Sequence, residues 1–118
     1  MNEMNGDRLD GRILEKLFGV IESRRGSDAA TSYTARLLAK GRTSIAKKTG
    51  EEAVEVVVAA LAQGRQELAA ESADLLYHLL VLWASAGVKP DDVWTQLARR
   101  EGVSGLAEKA ARPSNVRG

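Results

Sequence analysis

The chain has 118 residues, 44% of them hydrophobic and 28% charged, which suits one folded domain and is too short for two. Its net charge of +1 leaves no basic footprint for nucleic acid, and the lack of cysteine excludes disulfides, thiolate metal sites and cysteine nucleophiles. His78 is the single histidine, so a multi-histidine metal site within one chain is excluded as well.

The first residues, MNEMNGDRLDG, are polar and lack the apolar centre of a signal peptide, so a cytoplasmic location is expected. Residues 1–9 read as a flexible leader, 10–112 as a single domain and 113–118 as a flexible tail. Ile13, Leu14, Leu17, Phe18 and Ile21 recur at helical spacing and predict an amphipathic helix from about Asp10 to Ser23. The segment RRGSDAATS breaks that period and predicts a loop; SYTARLLAK then predicts a short helix closed by Gly41. The following helix reaches about Ala62, and two starts compete for it. Thr49-Gly-Glu-Glu52 is a capping-box pattern. Alternatively Thr43 or Ser44 caps an earlier start, and the helix runs through Gly50 at a cost of about 1 kcal/mol relative to alanine.

A turn at Gln63-Gly64-Arg65 leads to a long helix from about Gln66 to Ala86, ended by Gly87. Pro90, Asp91 and Asp92 open a further helix to about Arg100, and Leu106 to Arg112 predicts a short last one. The apolar run from Leu75 to Ala86 is interrupted by His78 and Ser85 and falls short of the about 20 residues a bilayer requires, so no membrane partner is expected. No alternating strand pattern competes. The expected fold is all-α: a helical bundle whose two long helices form a central antiparallel hairpin.

Glu51, Glu52 and Glu55 stand close to a run that becomes almost wholly apolar, and Glu71 and Asp74 stand before another. Capping and the helix macrodipole account for glutamates in a first turn. They do not account for the repeated spacing. Glu52 and Glu55 are three apart, as are Glu71 and Asp74, so each pair shares a helical face. Folding the hairpin about a centre near position 64.5 sets Asp74 level with Glu55, with Glu52 and Glu71 about 4.5 Å away along the axes. Four carboxylates that close demand raised pKa values or a cation, and oxygen-only ligands suit Mg²⁺ or Mn²⁺.

Glu51-Glu52-Ala-Val-Glu55 followed by Glu71-Ser-Ala-Asp74 resembles the two-part signature of the MazG-like all-α nucleotide pyrophosphatases. With SYTARLLAKG, KKTGEEAVEVVVAAL and ESADLLYHLLVLW in order, the chain resembles the phosphoribosyl-ATP pyrophosphatases of histidine biosynthesis from about Ile13 to Arg100. The resemblance implies hydrolysis of phosphoribosyl-ATP to phosphoribosyl-AMP and pyrophosphate. It implies Mg²⁺ held by Glu52, Glu55, Glu71 and Asp74, and a homodimer completing the bundle with a site built partly from both subunits. It also favours the helix that runs through Gly50 over the capping-box start.

The other polar residues keep two readings each. Glu51 points about 100° from Glu52 and either orients or deprotonates the attacking water or is a helix-surface residue. Lys48, four residues before Glu52, either meets a phosphate or pairs with a glutamate; Lys47 beside it is a further phosphate candidate. Lys40 and Arg36 are weaker phosphate candidates whose alternative is ordinary surface charge. His78, four residues after Asp74, is either a satisfied core group or a partner that orients Asp74. Two other functions remain open at this level: a housecleaning nucleoside-triphosphate pyrophosphatase, and a non-enzymatic helical dimer scaffold.

Overall fold

A computed structural model describes residues 9–101. The short helix expected at Leu106 to Arg112 and the two outer segments, the 1–9 leader for all but its last residue and the 113–118 tail entirely, lie outside these residues. Among the described residues there are five helices and no strand: α1 (Arg12–Ser23), α2 (Tyr33–Lys40), α3 (Arg42–Ala62), α4 (Arg65–Ala86) and α5 (Pro90–Ala98). Helices α1 to α4 belong to one compact unit, Met1–Val88, and α5 to a second, Lys89–Gly118. None of the helices is long and apolar enough to cross a membrane.

In the first unit α3 and α4 form the antiparallel hairpin and the most extensive helix pair, with α1 laid on α4 and α2 against both. The core comprises Phe18 and Ile21 from α1, Leu37 from α2, Ile45 from α3, and Leu80, Val81 and Ala84 from α4. Leu14 and Leu17 pack against it, whereas Ile13 is half exposed and lies off the buried stripe. Tyr77 and Trp83 are partly buried against the same core.

The helix ends follow from local chemistry. Ser32 caps α2 by accepting from the Ala35 N–H at 3.1 Å. Gly41, at φ 93° and ψ 168°, ends α2 and begins α3 in a single residue, a positive φ that glycine adopts without strain. Glu67 accepts from the Gly64 N–H at 3.1 Å and anchors the start of α4. Gly87 closes α4 in the left-handed region, with the Val88 N–H reaching back to the Trp83 carbonyl at 2.9 Å. The loop between α1 and α2 is tied at both ends. Arg25 donates to the Ala84 carbonyl at 2.9 Å, and Arg36 to the Ala29 carbonyl at 3.2 Å.

The capping-box start of α3 at Thr49 is overturned. The helix begins seven residues earlier, at Arg42, ahead of Thr43 and Ser44 as well. The Thr49 hydroxyl donates to the Ile45 carbonyl at 2.8 Å, a bond that only an already formed helix offers. Gly50 is therefore an interior helical residue, and a Cβ there would meet nothing within 4 Å. Gly50→Ala should stabilise the fold by about 0.5–1 kcal/mol, read as a higher denaturant midpoint at unchanged slope.

Candidate metal centre and cationic pocket

Two clusters of opposite charge share α3. On its hairpin side, carboxylate oxygens of Glu52, Glu71 and Asp74 all lie within 4.8 Å of one another. The Glu52 side chain is only 13% exposed. Glu55 stands outside this group, although its charge still acts on Glu71. Arg65 is already helical, so α4 begins one residue earlier than expected.

Burial, then the charges of Asp74, Glu55 and Glu52, push the Glu71 carboxyl above its ordinary value. Mutual repulsion of this kind, among hard oxygen donors on two facing helices, fits a divalent cation. The three converging groups are the residues that would hold it.

Beside these acids on α3, Arg36, Lys40, Lys47 and Lys48 line one open depression of ≈ 310 Å³ together with Tyr33, Leu37, Ser44 and Glu51. Every basic residue singled out in the sequence is on this wall. Lys48 joins the two clusters: its Nζ is 3.4 Å from Glu52 and 3.9 Å from Glu51. The Glu52 contact is the first cause that holds the Lys48 ammonium above its ordinary value. Glu51 is exposed and faces the basic wall rather than the carboxylate group.

His78 is buried, and it meets Asp74 through the backbone rather than the carboxylate. Its Nδ1 lies 2.8 Å from the Asp74 carbonyl, the preceding turn of its own helix, and its Nε2 lies 3.1 Å from the Tyr33 hydroxyl. A carbonyl only accepts, so Nδ1 carries the hydrogen. With that nitrogen engaged by the i−4 carbonyl, the ring does not bond the Asp74 side chain. Tyr33 is the residue that the sequence reading passed over. The signal was present: Tyr33, Arg36, Leu37 and Lys40 follow at helical spacing, and all four line the depression.

The raised Glu71 pKa fixes a sign for pH. Its protonated form is favoured by the fold, so this contribution to stability is complete below the ordinary glutamate value and is lost as pH rises through the raised one. In metal-free buffer, Glu71→Gln should therefore gain thermal stability over the unmutated chain as pH increases through that interval. Added divalent cation should raise the melting temperature of the unmutated chain and do so less for Glu71→Gln. A cation response equal in both chains would remove Glu71 from the site.

Comparison with known proteins agrees over most of the chain. Residues 14–101 match the family described as phosphoribosyl-ATP pyrophosphohydrolase. A phosphoribosyl-ATP pyrophosphatase of Gluconobacter oxydans is 57% identical over 106 residues, covering 90% of this chain and 80% of that protein. One of Paramagnetospirillum magneticum is 62% identical over 103 residues, covering 87% and 94%. One of Azospirillum brasilense is 51% identical over 111 residues, covering 94% and 100%. On the family match and these relatives, the chain belongs to the phosphoribosyl-ATP pyrophosphohydrolase family.

Proposed function

We propose that the chain hydrolyses phosphoribosyl-ATP to phosphoribosyl-AMP and pyrophosphate, a step of histidine biosynthesis, in the cytoplasm and with Mg²⁺. The observation that carries this reading is a carboxylate triad and a four-cation wall joined through Lys48, within a chain of this family. Glu52, Glu71 and Asp74 would hold the cation, with Glu55 as a fourth donor. Bound there, a divalent cation offsets polyphosphate charge and lowers the pKa of a coordinated water.

The remaining work falls to the chain's own side chains. Arg36, Lys40 and Lys47 offer charge-assisted hydrogen bonds to phosphate oxygens. Lys48 holds Glu52 in place from the pocket side and presents its ammonium to the same oxygens. Glu51, an acceptor on the pocket wall beside Lys48, is suited to take or orient the proton of an attacking water.

A second copy of the chain is the partner proposed for α3. Val54, Val57, Val58 and Leu61 recur at helical spacing and are exposed, Leu61 to 83%. A homodimer would cover them. Sedimentation equilibrium should give twice the chain mass, and Val57→Lys with Leu61→Lys should return it to the monomer. An unmutated chain that sediments as a monomer at micromolar concentration would remove this partner.

The activity is tested by pyrophosphate release from phosphoribosyl-ATP, ATP and dUTP with Mg²⁺, and again with EDTA. EDTA-sensitive release from phosphoribosyl-ATP alone is expected. Preference for ATP or dUTP would move the function to nucleoside-triphosphate housecleaning. Glu52→Ala and Asp74→Ala should each lose about a hundredfold or more in kcat, with the helical circular-dichroism signal retained.

A further inference from the structure

We infer that Tyr33 is a specificity-determining side chain: held at its hydroxyl by His78, its ring forms the wall of the cationic depression against which the substrate's nucleobase stacks. This rests on the nucleotide reading above and adds to it the residue that recognises the base.

Tyr33 lines the depression with the four cations and remains 47% exposed. An exposed tyrosine is ordinarily free to turn, but this one is held at several points. Its hydroxyl is 3.1 Å from His78 Nε2. Its ring stacks on Tyr77, with centroids 6.2 Å apart and planes 21° apart, and meets the His78 ring nearly edge-on at 6.0 Å. Tyr77 is fixed in turn by an edge contact with His78 at 5.1 Å and by a hydroxyl bond to Thr34.

The buried imidazole sets what Tyr33 can offer. Nδ1–H is engaged by the Asp74 carbonyl, which leaves Nε2 as the ring nitrogen that meets the Tyr33 hydroxyl. That hydroxyl is taken up by the imidazole. What the depression receives from Tyr33 is an aromatic surface. Among the described residues, the one other apolar side chain on its wall, Leu37, is buried in the core. A ligand that places phosphates on the cations therefore finds one flat apolar surface for its ring, already ordered before binding. Stacking on such a surface is indifferent to hydrogen-bonding pattern and is worth about tenfold in affinity. His78 acts through Tyr33 and is a positioning residue.

The experiment is calorimetric binding of ATP and of inorganic pyrophosphate, with Mg²⁺ present, to the unmutated chain, Tyr33→Leu, Tyr33→Phe and His78→Gln. Tyr33→Leu should weaken ATP about tenfold and leave pyrophosphate, which has no ring, within about twofold. Tyr33→Phe should recover most of that loss, and His78→Gln should fall between. In turnover of phosphoribosyl-ATP, Tyr33→Leu should raise KM far more than it lowers kcat. Equal weakening of ATP and pyrophosphate, unchanged ATP binding in Tyr33→Leu, or a Tyr33→Phe variant as poor as Tyr33→Leu would each overturn the assignment. Absence of phosphoribosyl-ATP turnover by the unmutated chain would overturn the preceding section's reading instead, and the binding comparison would still decide the role of Tyr33.

Discussion

Like charges held near one another are the constraint around which this fold is arranged. Glu52, Glu71 and Asp74 bring carboxylate oxygens within 4.8 Å, and burial, with these charges added to it, holds the Glu71 carboxyl above its ordinary value. Flexible segments would relieve such repulsion by moving apart. Here the acids sit inside two long helices whose ends are fixed by a two-residue turn, so they are kept together by backbone hydrogen bonds they do not themselves make. Lys48 offsets part of the repulsion through its contact with Glu52 at 3.4 Å.

Helix α3 has to satisfy several neighbours at once. Ile45 and Ala59 are buried, Glu52 faces the acids of α4, Lys47, Lys48 and Glu51 face the depression, and Val54, Val57, Val58 and Leu61 are exposed. Such a helix has no single apolar stripe. Its sequence is consequently ambiguous by periodicity alone, and its start can only be found from what precedes it. Gly41 provides that start, and Thr49 contributes by bonding back to Ile45 rather than forward as a cap.

The parts of the molecule legible from sequence were those set by local, repeated chemistry. The stripe Leu14, Leu17, Phe18 and Ile21 and the glycines at 41 and 87 all follow from spacing that a single helix or its end dictates. Features that depend on how two elements meet were not legible. Glu52, Glu71 and Asp74 bring carboxylate oxygens together while Glu55 does not join them, a distinction that the spacing shared by both pairs does not carry. Ile13 carries the right spacing but is half exposed. His78 shares a face with Asp74, yet the i−4 carbonyl competes for the nitrogen nearest it and turns the ring's other nitrogen to Tyr33. Tyr33 carried a periodic signal with Arg36 and Lys40, but a tyrosine's spacing does not reveal which neighbour its hydroxyl will meet.

The single residue between α2 and α3 has a consequence for ligand size. Tyr33, Arg36, Leu37 and Lys40 come from one side of Gly41, and Ser44, Lys47, Lys48 and Glu51 from the other. The aperture of the depression is therefore governed largely by one pair of backbone angles, φ 93° and ψ 168°, at a residue that lines no part of it. There is open space for a side chain at that position, so the demand for glycine is conformational rather than steric. A relative that replaced this joint with an ordinary residue would have to change the angle between the two helices. It would thereby admit a ligand of different breadth with the identity of every wall residue kept.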